Sequence, residues 1–551
     1  MGGALLFALV CLGIGAYIFH QNQELKEKDW KMMANQSKMI AEKTLVEIQK
    51  GNVYSSVLAL LEIIPNHNER PFVPEMECAL RAAYDSLQNM KWTYRLLEIQ
   101  ASESFMSDNE KYIVVSKDRH IDVYDFNTLN ICTYVELPSE IDALRFRTYL
   151  SKDETLLYVA YSSGVLIYSI PEGQLVENIK SDEIEKGKKY VRDLYRPGKD
   201  CNGGDIFDDI VWKCVNEWAT SLFGLRPDDE VLDYCDANNL ALVRRDFSNI
   251  FLYDCMSKQE VKTNFFPSPP FEVIGDYSDC SFSKDGNQLI LSHTINGSLL
   301  YDIKNATTRY FKEKDCLHYS NWIRFSNNGQ YLHSSRTISR LDIIDAISLE
   351  IVDSIVPQYE SYIWDAYTNE NGDKCLVLID EEVYMYYKHF PNNYKNIIDR
   401  SSFTKLEKPV CVSDTIINGR FHLTVNDEGI RCEDIVGEYK SWSHTFLHGS
   451  DILGYAHNNR YLLVSDHNLR SSNFCVIDLA SGTTIFKEDE DQYWLYIYYN
   501  YNTNQILFEN PNYDKTFVYD FLPLKSIISR LQELTKGMSL SSRERMQFFL
   551  E

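Results

Sequence analysis

The chain has no G-x-x-x-x-G-K-[ST] loop, no H-E-x-x-H, no G-x-S-x-G and no C-x-x-C. These absences remove the backbone cradle for a nucleoside triphosphate, a zinc-protease helix and the nucleophile elbow of a propeller-bearing peptidase. Glycine and proline are scarce, 24 and 15 of 551 residues, beside 37 tyrosines and 27 phenylalanines. Such an aromatic load favours strands with cross-strand aromatic pairs over helical bundles. Basic residues are outnumbered 55 to 80, giving a formal charge of −25. That excludes a general nucleic-acid binder, which needs clustered Lys and Arg against phosphates. With 44% hydrophobic and 25% charged residues the chain is a folding one.

A disulfide framework is also missing. The thirteen cysteines are odd in number and sit singly, as Cys132 and Cys475 do inside apolar runs. They read as buried free thiols in a reducing compartment.

What is present begins with an uncharged run, Gly2 to Phe19. Eighteen residues make about 27 Å of helix, just enough for a bilayer core. Nothing basic precedes the run, as a signal peptide would require, while Lys26, Lys28, Lys31 and Lys38 follow it. Counting positive charges predicts an uncleaved anchor over residues 1–23, a single-pass membrane protein with its bulk in the cytoplasm. Cleavage near Gly13 or Gly15 is the rival reading. Residues 24–90 follow as a helical neck. Met33, Ser37, Ile40, Ala41, Leu45 and Ile48 recur near a 3.6 period, Gly51-Asn52 breaks the helix, and Pro74 suits the first turn of another.

From Leu96 to Leu522 the text repeats. Turns such as Ser107-Asp108-Asn109-Glu110, Ser151-Lys152-Asp153-Glu154, Ser283-Lys284-Asp285-Gly286 and Ser326-Asn327-Asn328-Gly329 precede apolar strands. The strand ends at Tyr124, Tyr168, Tyr253, Tyr301, Ile344, Met385, Ile477 and Tyr519 lie 44, 85, 48, 43, 41, 92 and 42 residues apart. A period of about 40–45 with four short strands is a propeller signature. The 92 holds a weaker unit near Phe421 to Asp434, and the 85 a degenerate unit or an insertion. The fold class expected is therefore mainly β: a single β-propeller of eight or nine blades over residues 91–523, with a transmembrane helix, a helical neck and a C-terminal helical segment, 524–551. The strand near Trp92–Ile99 is expected to close the ring by completing the last, three-stranded unit. A string of β-sandwiches is the alternative.

The neck carries a resemblance. Ala34-Asn35-Gln36-Ser37, Gly51-Asn52, Leu58 to Pro65, Arg70-Pro71-Phe72-Val73-Pro74-Glu75 and Ala79-Leu80-Arg81-Ala82 resemble the segment joining a membrane helix to WD-type propellers in bacterial STAND-NTPase, caspase-like and TIR-associated conflict proteins. Ser539 to Arg545 is similar to the terminal helix of that family. The resemblance implies a WD-repeat-like scaffold in antiviral defence. The family usually carries an effector or NTPase domain before the membrane helix, so the resemblance implies that this part is absent, lost from the reading frame, or encoded separately as a partner effector or NTPase.

Residues 181–227 break the period. Lys186, Lys188 and Lys189 form a basic cluster, and Ile206 to Phe223 suits an amphipathic helix. Asp200 to Asp205 invites a calcium reading, but the EF-hand register fails, with Asp205 and Val211 where Gly and Glu are needed. A helix capping a blade and a partner-docking element stay open. Trp212 and Trp218 are the candidate partner-binding residues. Trp218, in register with Val211, Val215 and Leu222, is expected to face inward and Trp212 to lie nearer the rim.

No catalytic, cofactor-binding or metal-binding residue is assigned and no cofactor is expected. His444 and His448 lie four apart but in text that reads as strand and turn. The reading is a membrane-anchored recognition or sensor scaffold with a protein partner and no intrinsic catalysis. A propeller enzyme acting at the central channel, or an exported propeller in envelope assembly, is the alternative.

Overall fold

The computed structural model describes residues 2–64, 71–142, 146–194, 208–245, 249–261, 277–293, 297–311, 323–326, 329–337, 340–357, 361–389, 404–405, 414–426, 429–437, 439–445, 450–457, 459–468, 471–487, 496–510 and 515–550. The chain forms two compact units, Tyr94–Lys388 and a second made of Met1–Thr93 with His389–Glu551.

The chain opens with α1 (Gly2–Gln49), α2 (Val53–Ile63) and α3 (Pro74–Asn89). Ser37, Ile40, Ala41, Thr44 and Ile48 are the buried stripe of α1, at helical spacing, and α1 packs on α2 and α3. Among the described residues no helix is long and apolar enough to cross a membrane. This overturns the single-pass anchor at 1–23 and the cytoplasmic placement and membrane attachment that rested on it. The apolar run had only the minimum spanning length. It is the head of a helix that continues unbroken to Gln49 through Glu24, Lys26, Glu27, Lys28, Asp29 and Lys31.

Beyond the helices the chain is mainly β, with nine four-stranded antiparallel sheets, six in the larger unit and three in the smaller. The single propeller of eight or nine blades is thereby overturned. In the larger unit, β1 (Trp92–Ile99) is followed by a first sheet of β2 (Glu103–Met106), β3 (Tyr112–Lys117), β4 (His120–Asp125) and β5 (Ile131–Glu136). The second holds β6 (Phe146–Leu150), β7 (Leu156–Tyr161), β8 (Gly164–Ser169) and β9 (Leu175–Lys180). After the inserted helices α4 (Ile184–Gly187), α5 (Val191–Leu194) and α6 (Asp208–Phe223) comes the third, β10 (Asp229–Cys235), β11 (Leu240–Arg245), β12 (Asn249–Asp254) and β13 (Gln259–Val261). The fourth is β14 (Tyr277–Phe282), β15 (Gln288–His293), β16 (Gly297–Asp302) and β17 (Thr307–Phe311). The fifth is β18 (Ile323–Phe325), β19 (Tyr331–Thr337), β20 (Arg340–Asp345) and β21 (Ile351–Ile355). The sixth is β22 (Ile363–Thr368), β23 (Lys374–Ile379) and β24 (Glu382–Lys388), completed by β1 beside β24.

The correction has a specific cause. β1 does complete a three-stranded unit, but the sixth, not the ninth. The Tyr94 ring meets Tyr384 edge-on at 5.0 Å and Tyr386 at 5.4 Å, a cross-strand aromatic cluster that pins the outer strand. Closure follows from the sixth sheet to the first, where β22 and β23 touch β2. The result is a propeller-like ring. Its second strands, such as β3 and β7, are buried almost throughout because sheets cover both their faces, whereas outer strands such as β5 alternate with solvent.

The repeated turn serine has a structural task. Ser107, Ser151, Ser283 and Ser326 end first strands, and each hydroxyl accepts the backbone N–H of a residue five further on (Tyr112, Leu156, Gln288 and Tyr331), at 2.9 to 3.0 Å. Asn369 does the same in the sixth sheet through its side-chain oxygen, accepting from Lys374 at 2.9 Å. The turn is thus closed by a side chain in place of a further backbone bond.

The insertion packs between the second and third sheets. Val191, Leu194, Val215, Trp218, Ala219 and Phe223 share one core with Tyr158, Ile167, Tyr234 and Val243. Gly187 lets α4 approach: a Cβ there would stand 2.1 Å from the Trp218 ring. The Asp200–Asp205 segment lies outside the described residues.

In the smaller unit β25 (Thr404–Lys405) precedes a seventh sheet, β26 (Asp414–Ile417), β27 (Phe421–Asn426), β28 (Gly429–Asp434) and β29 (Trp442–Thr445), and an eighth, β30 (Ser450–Ala456), β31 (Tyr461–Asn468), β32 (Ser471–Asp478) and β33 (Thr484–Lys487). The ninth is β34 (Tyr496–Asn500), β35 (Gln505–Asn510) and β36 (Lys515–Asp520), with β25 beside β34. These three sheets stack. Leu462, Val464 and Ile477 of the eighth pack on Leu423, Ile430 and Cys432 of the seventh, while Leu463, Phe474 and Val476 pack on Ile506, Phe508 and Tyr519 of the ninth. The alternation of residues between the two contacts is the period of a strand.

Both chain ends cover this stack. α7 (Leu524–Leu534) packs on α3, and α3 on β33. Glu77 of α3, fully buried, accepts from Arg81 at 2.8 Å, from Arg460 at 2.6 Å and from the Tyr461 hydroxyl. Arg81 also donates to the Leu522 carbonyl at 2.9 Å and lies over the Phe521 ring at 4.2 Å. α8 (Ser542–Gln547) starts with a capping box in which Ser541 accepts from the Glu544 N–H and Glu544 from the Ser541 N–H. The same Glu544 accepts from Ser55 of α2 at 2.7 Å, joining the last helix to the second.

Candidate functional site

The first strands of the six sheets converge on one end of the ring, and a cavity of about 660 Å³ opens there. Every sheet of the larger unit lines it, through residues at or just beyond the ends of β2, β6, β10, β14, β18 and β22. The size falls in the range of small-molecule sites.

Its floor is apolar, formed by Phe105, Met106, Leu150 and Phe282, all at most 4% exposed, with Phe325 beside them. Below Arg324 lies a buried polar group. Its guanidinium donates to Asp365 at 2.6 Å and meets the Tyr367 hydroxyl at 3.3 Å, and that hydroxyl donates to Asp365 at 2.8 Å. Burial pushes the Asp365 carboxyl up against the pull of Arg324, and burial with the Asp365 charge raises Tyr367 well above its ordinary range. Asp365 thus holds the Arg324 charge in place at the site wall, which keeps a cation in an otherwise costly position. This carboxylate follows Trp364, in a Trp-Asp pair of the sixth sheet's first strand.

The rim is built by the residue after each turn serine or its counterpart: Asp108, Lys152, Asp236, Lys284 and Glu370, with Asn327 outside the described residues. Hydrogen bonds run from turn to turn. The Glu370 N–H donates to Glu110, the Asn109 N–H to Glu154 at 2.9 Å, Lys152 to Asp236 at 2.6 Å, and Asn238 to the Gly286 carbonyl at 2.6 Å. The hydrogen bond from Lys152 holds the Asp236 carboxyl below its usual value. Lys284 reaches across the opening from the fourth sheet to the Asp108 carbonyl at 3.2 Å and to Glu370 at 3.6 Å.

The third element is the insertion. Lys189, Arg192 and Asp193 line the cavity. Asp193 accepts from the Tyr158 hydroxyl at 2.9 Å, and Lys189 donates to the Tyr190 hydroxyl at 3.2 Å. Among the described residues Arg192 makes no hydrogen bond or ion pair, and it is exposed. The lining holds one thiol, Cys235, which is buried and raised above its ordinary pKa by that burial. It holds no histidine among the described residues, and its carboxylates, Asp108, Asp193 and Asp236, come from the first sheet, the insertion and the third sheet. No group of three metal-ligating side chains occurs among the described residues.

The residues singled out from sequence lie elsewhere. Trp218 is fully buried between the second and third sheets, its indole N–H donating to the Ser181 carbonyl at 3.1 Å, and so offers no surface to a partner. Trp212 belongs to α6, and its side chain lies outside the described residues. The ring of His444 bonds the Gly482 carbonyl at 2.5 Å, and His448 is not described. The site itself was overlooked, although the repeat contained it: reading one position past each turn serine gives the rim.

No family model matches the chain, and no curated protein is similar to it. The site therefore rests on its own geometry.

Proposed function

We propose that this chain is a recognition or sensor module whose binding site is the mouth of the six-sheet ring, and that it works through a protein partner. One observation carries the reading. All six sheets contribute to a cavity with an apolar floor and a fixed rim of charges, and its carboxylates are dispersed around the rim. That arrangement suits binding. A hydrolytic site needs acid and base groups within reach of one reacting atom. The resemblance of the neck and terminal helix supports a WD-repeat-like scaffold in bacterial defence or signalling, with a separately encoded effector or NTPase as the partner.

The test is co-purification of the full chain with effector or NTPase proteins encoded beside it. Lys152→Glu with Lys284→Glu should leave the melting temperature within a few degrees and abolish capture. Leu175→Ala, on the exposed edge of the second sheet, should leave capture intact. Capture insensitive to the rim would remove the mouth from recognition. Turnover of a nucleotide, peptide or sugar by the purified chain, abolished by a single rim substitution, would replace the reading with an enzymatic one.

A further inference from the structure

The basic cluster of the insertion divides in the fold. Lys186 and Lys188 are each tied three residues back, to Glu183 and Glu185. Lys189, and Arg192 one turn further on, instead line the cavity. The insertion thus delivers two cations to the mouth of the ring.

Charge bookkeeping shows what these two are free to do. Five cations line the cavity, Lys152, Lys189, Arg192, Lys284 and Arg324, against Asp108, Asp193 and Asp236. Lys152 is held by Asp236, Arg324 by Asp365, and Lys284 lies near Glu370. Asp193 is turned onto the Tyr158 hydroxyl. Lys189 donates to the Tyr190 hydroxyl, which in turn donates to Glu177 at 2.7 Å, so the nearest carboxylate reaches it through a phenol, and Arg192 has no hydrogen bond or ion pair among the described residues. With Asp365 and Glu370 counted, five cations face five carboxylates around the cavity, and in a chain of net charge −25 Lys189 and Arg192 stand there with no carboxylate as hydrogen-bond partner among the described residues. Guanidinium and ammonium donors aimed into a pocket favour carboxylate or phosphate oxygens.

We propose that the mouth of the ring binds a small organic anion, its oxyanion held by Lys189 and Arg192 and its apolar body resting on Phe105 and Phe282. This rests on the reading of the mouth as the recognition site and names the ligand it takes. Lys152 is the third donor within the same lining. Its pair with Asp236 is exposed, so the exchange of one partner for another costs little.

The test is isothermal titration of the full chain with phenyl phosphate and AMP, and with adenosine as the uncharged counterpart. At least one of the two anions should bind with submillimolar affinity, and adenosine at least about tenfold more weakly than AMP. Lys189→Ala and Arg192→Ala should each weaken the anion about tenfold or more. Lys186→Ala with Lys188→Ala, in the same insertion but outside the cavity, should bind like the parent and serves as the folding control. No binding of either anion, equal binding of adenosine and AMP, or unchanged affinity in both cavity variants would overturn the proposal. Failure here with partner capture still sensitive to Lys152 and Lys284 would sink the anion and leave the recognition site standing. Loss of rim sensitivity in capture, with anion binding intact, would do the reverse.

Discussion

The two units use the same four-stranded piece and reach opposite ends. In the larger unit six sheets return on themselves, so every sheet has neighbours on both faces and the first strands surround a hollow. In the smaller unit three sheets stack without returning. Among the described residues the eighth is covered on both faces by sheets, and the seventh turns Arg431, Ser443 and Thr445 to solvent. What the ring obtains from closure, the stack obtains from helices, with α3 against β33 and a buried ionic cluster around Glu77. A closed ring leaves a cavity on its axis because first strands cannot meet there. The cavity proposed as the binding site is in the ring.

The strongest way to break this contrast is to open the ring. Deleting Tyr94–Ile99 removes the outer strand of the sixth sheet, including buried Arg95 and Leu97. The expected loss is on the order of 5 kcal/mol or more, comparable with the whole stability of a domain. Hydrogen exchange read by segment should show β2–β24 deprotected while β30–β36 keep their protection. Equal protection of the larger unit before and after deletion would defeat the closure argument.

The matching experiment on the stack is Glu77→Gln. It leaves Arg81, 1% exposed, without its counter-charge and turns one of the two acceptor oxygens shared by Arg81, Arg460 and Tyr461 into an NH2 donor. A cost of about 3–5 kcal/mol is expected, as for one half of a buried ion pair. The loss should appear in α3 and β31 and spare β2–β24. A change below about 1 kcal/mol would show that the helices ride on the stack without securing it.

These two experiments also mark what the sequence reveals. Strand period, turn serines and the weak unit near Phe421 were legible, because alternation and turn chemistry are local. The partner of β1 was not. A three-stranded unit at the end of the chain invited closure there, but the two residues of β25 already occupy that place, and so short a strand leaves no periodic trace. The pairing is decided by Tyr94 against Tyr384 and Tyr386, nearly 300 residues apart, a contact that no local pattern announces. The anchor expected from the apolar run is likewise not matched, since no helix among the described residues is long and apolar enough to cross a membrane. At the site, the rim was legible in register with the turn serines. The division of the basic cluster into Lys186 and Lys188 outside and Lys189 within was not, since it depends on how α4 and α5 seat against Trp218.

A smaller effect separates the units by pH. His333 is fully buried, hydrogen-bonded to Thr368, and lowered to about 3 by burial and then by the Arg324 charge. Its folded value lies below the unfolded one of about 6.5, so the unfolded chain binds the proton more readily. The stability from keeping it neutral is complete above pH 6.5 and is lost as pH falls toward 3. By pH 5 the loss is roughly 2 kcal/mol. Urea unfolding of His333→Gln at pH 7 and pH 5 should show that much less acid sensitivity in the larger unit than the parent does. An identical difference between the two pH values in parent and variant would remove His333 as the cause.

The smallest expected effect tests the last helix. Ser541 caps α8, its side chain accepting from the Glu544 N–H at 3.2 Å, and the Glu544 carboxylate returns a bond to the Ser541 N–H at 2.8 Å. Ser541→Ala removes one half of that box and should cost about 1 kcal/mol. Glu544→Ala should cost more, because it also strips the buried Ser55 hydroxyl of its acceptor in α2. The ratio of the two separates a local cap from a tie between chain ends. If the two substitutions cost the same, α8 is held by its cap alone. If Glu544→Ala costs clearly more and deprotects α2 in hydrogen exchange, the last helix helps hold the first three on the stack.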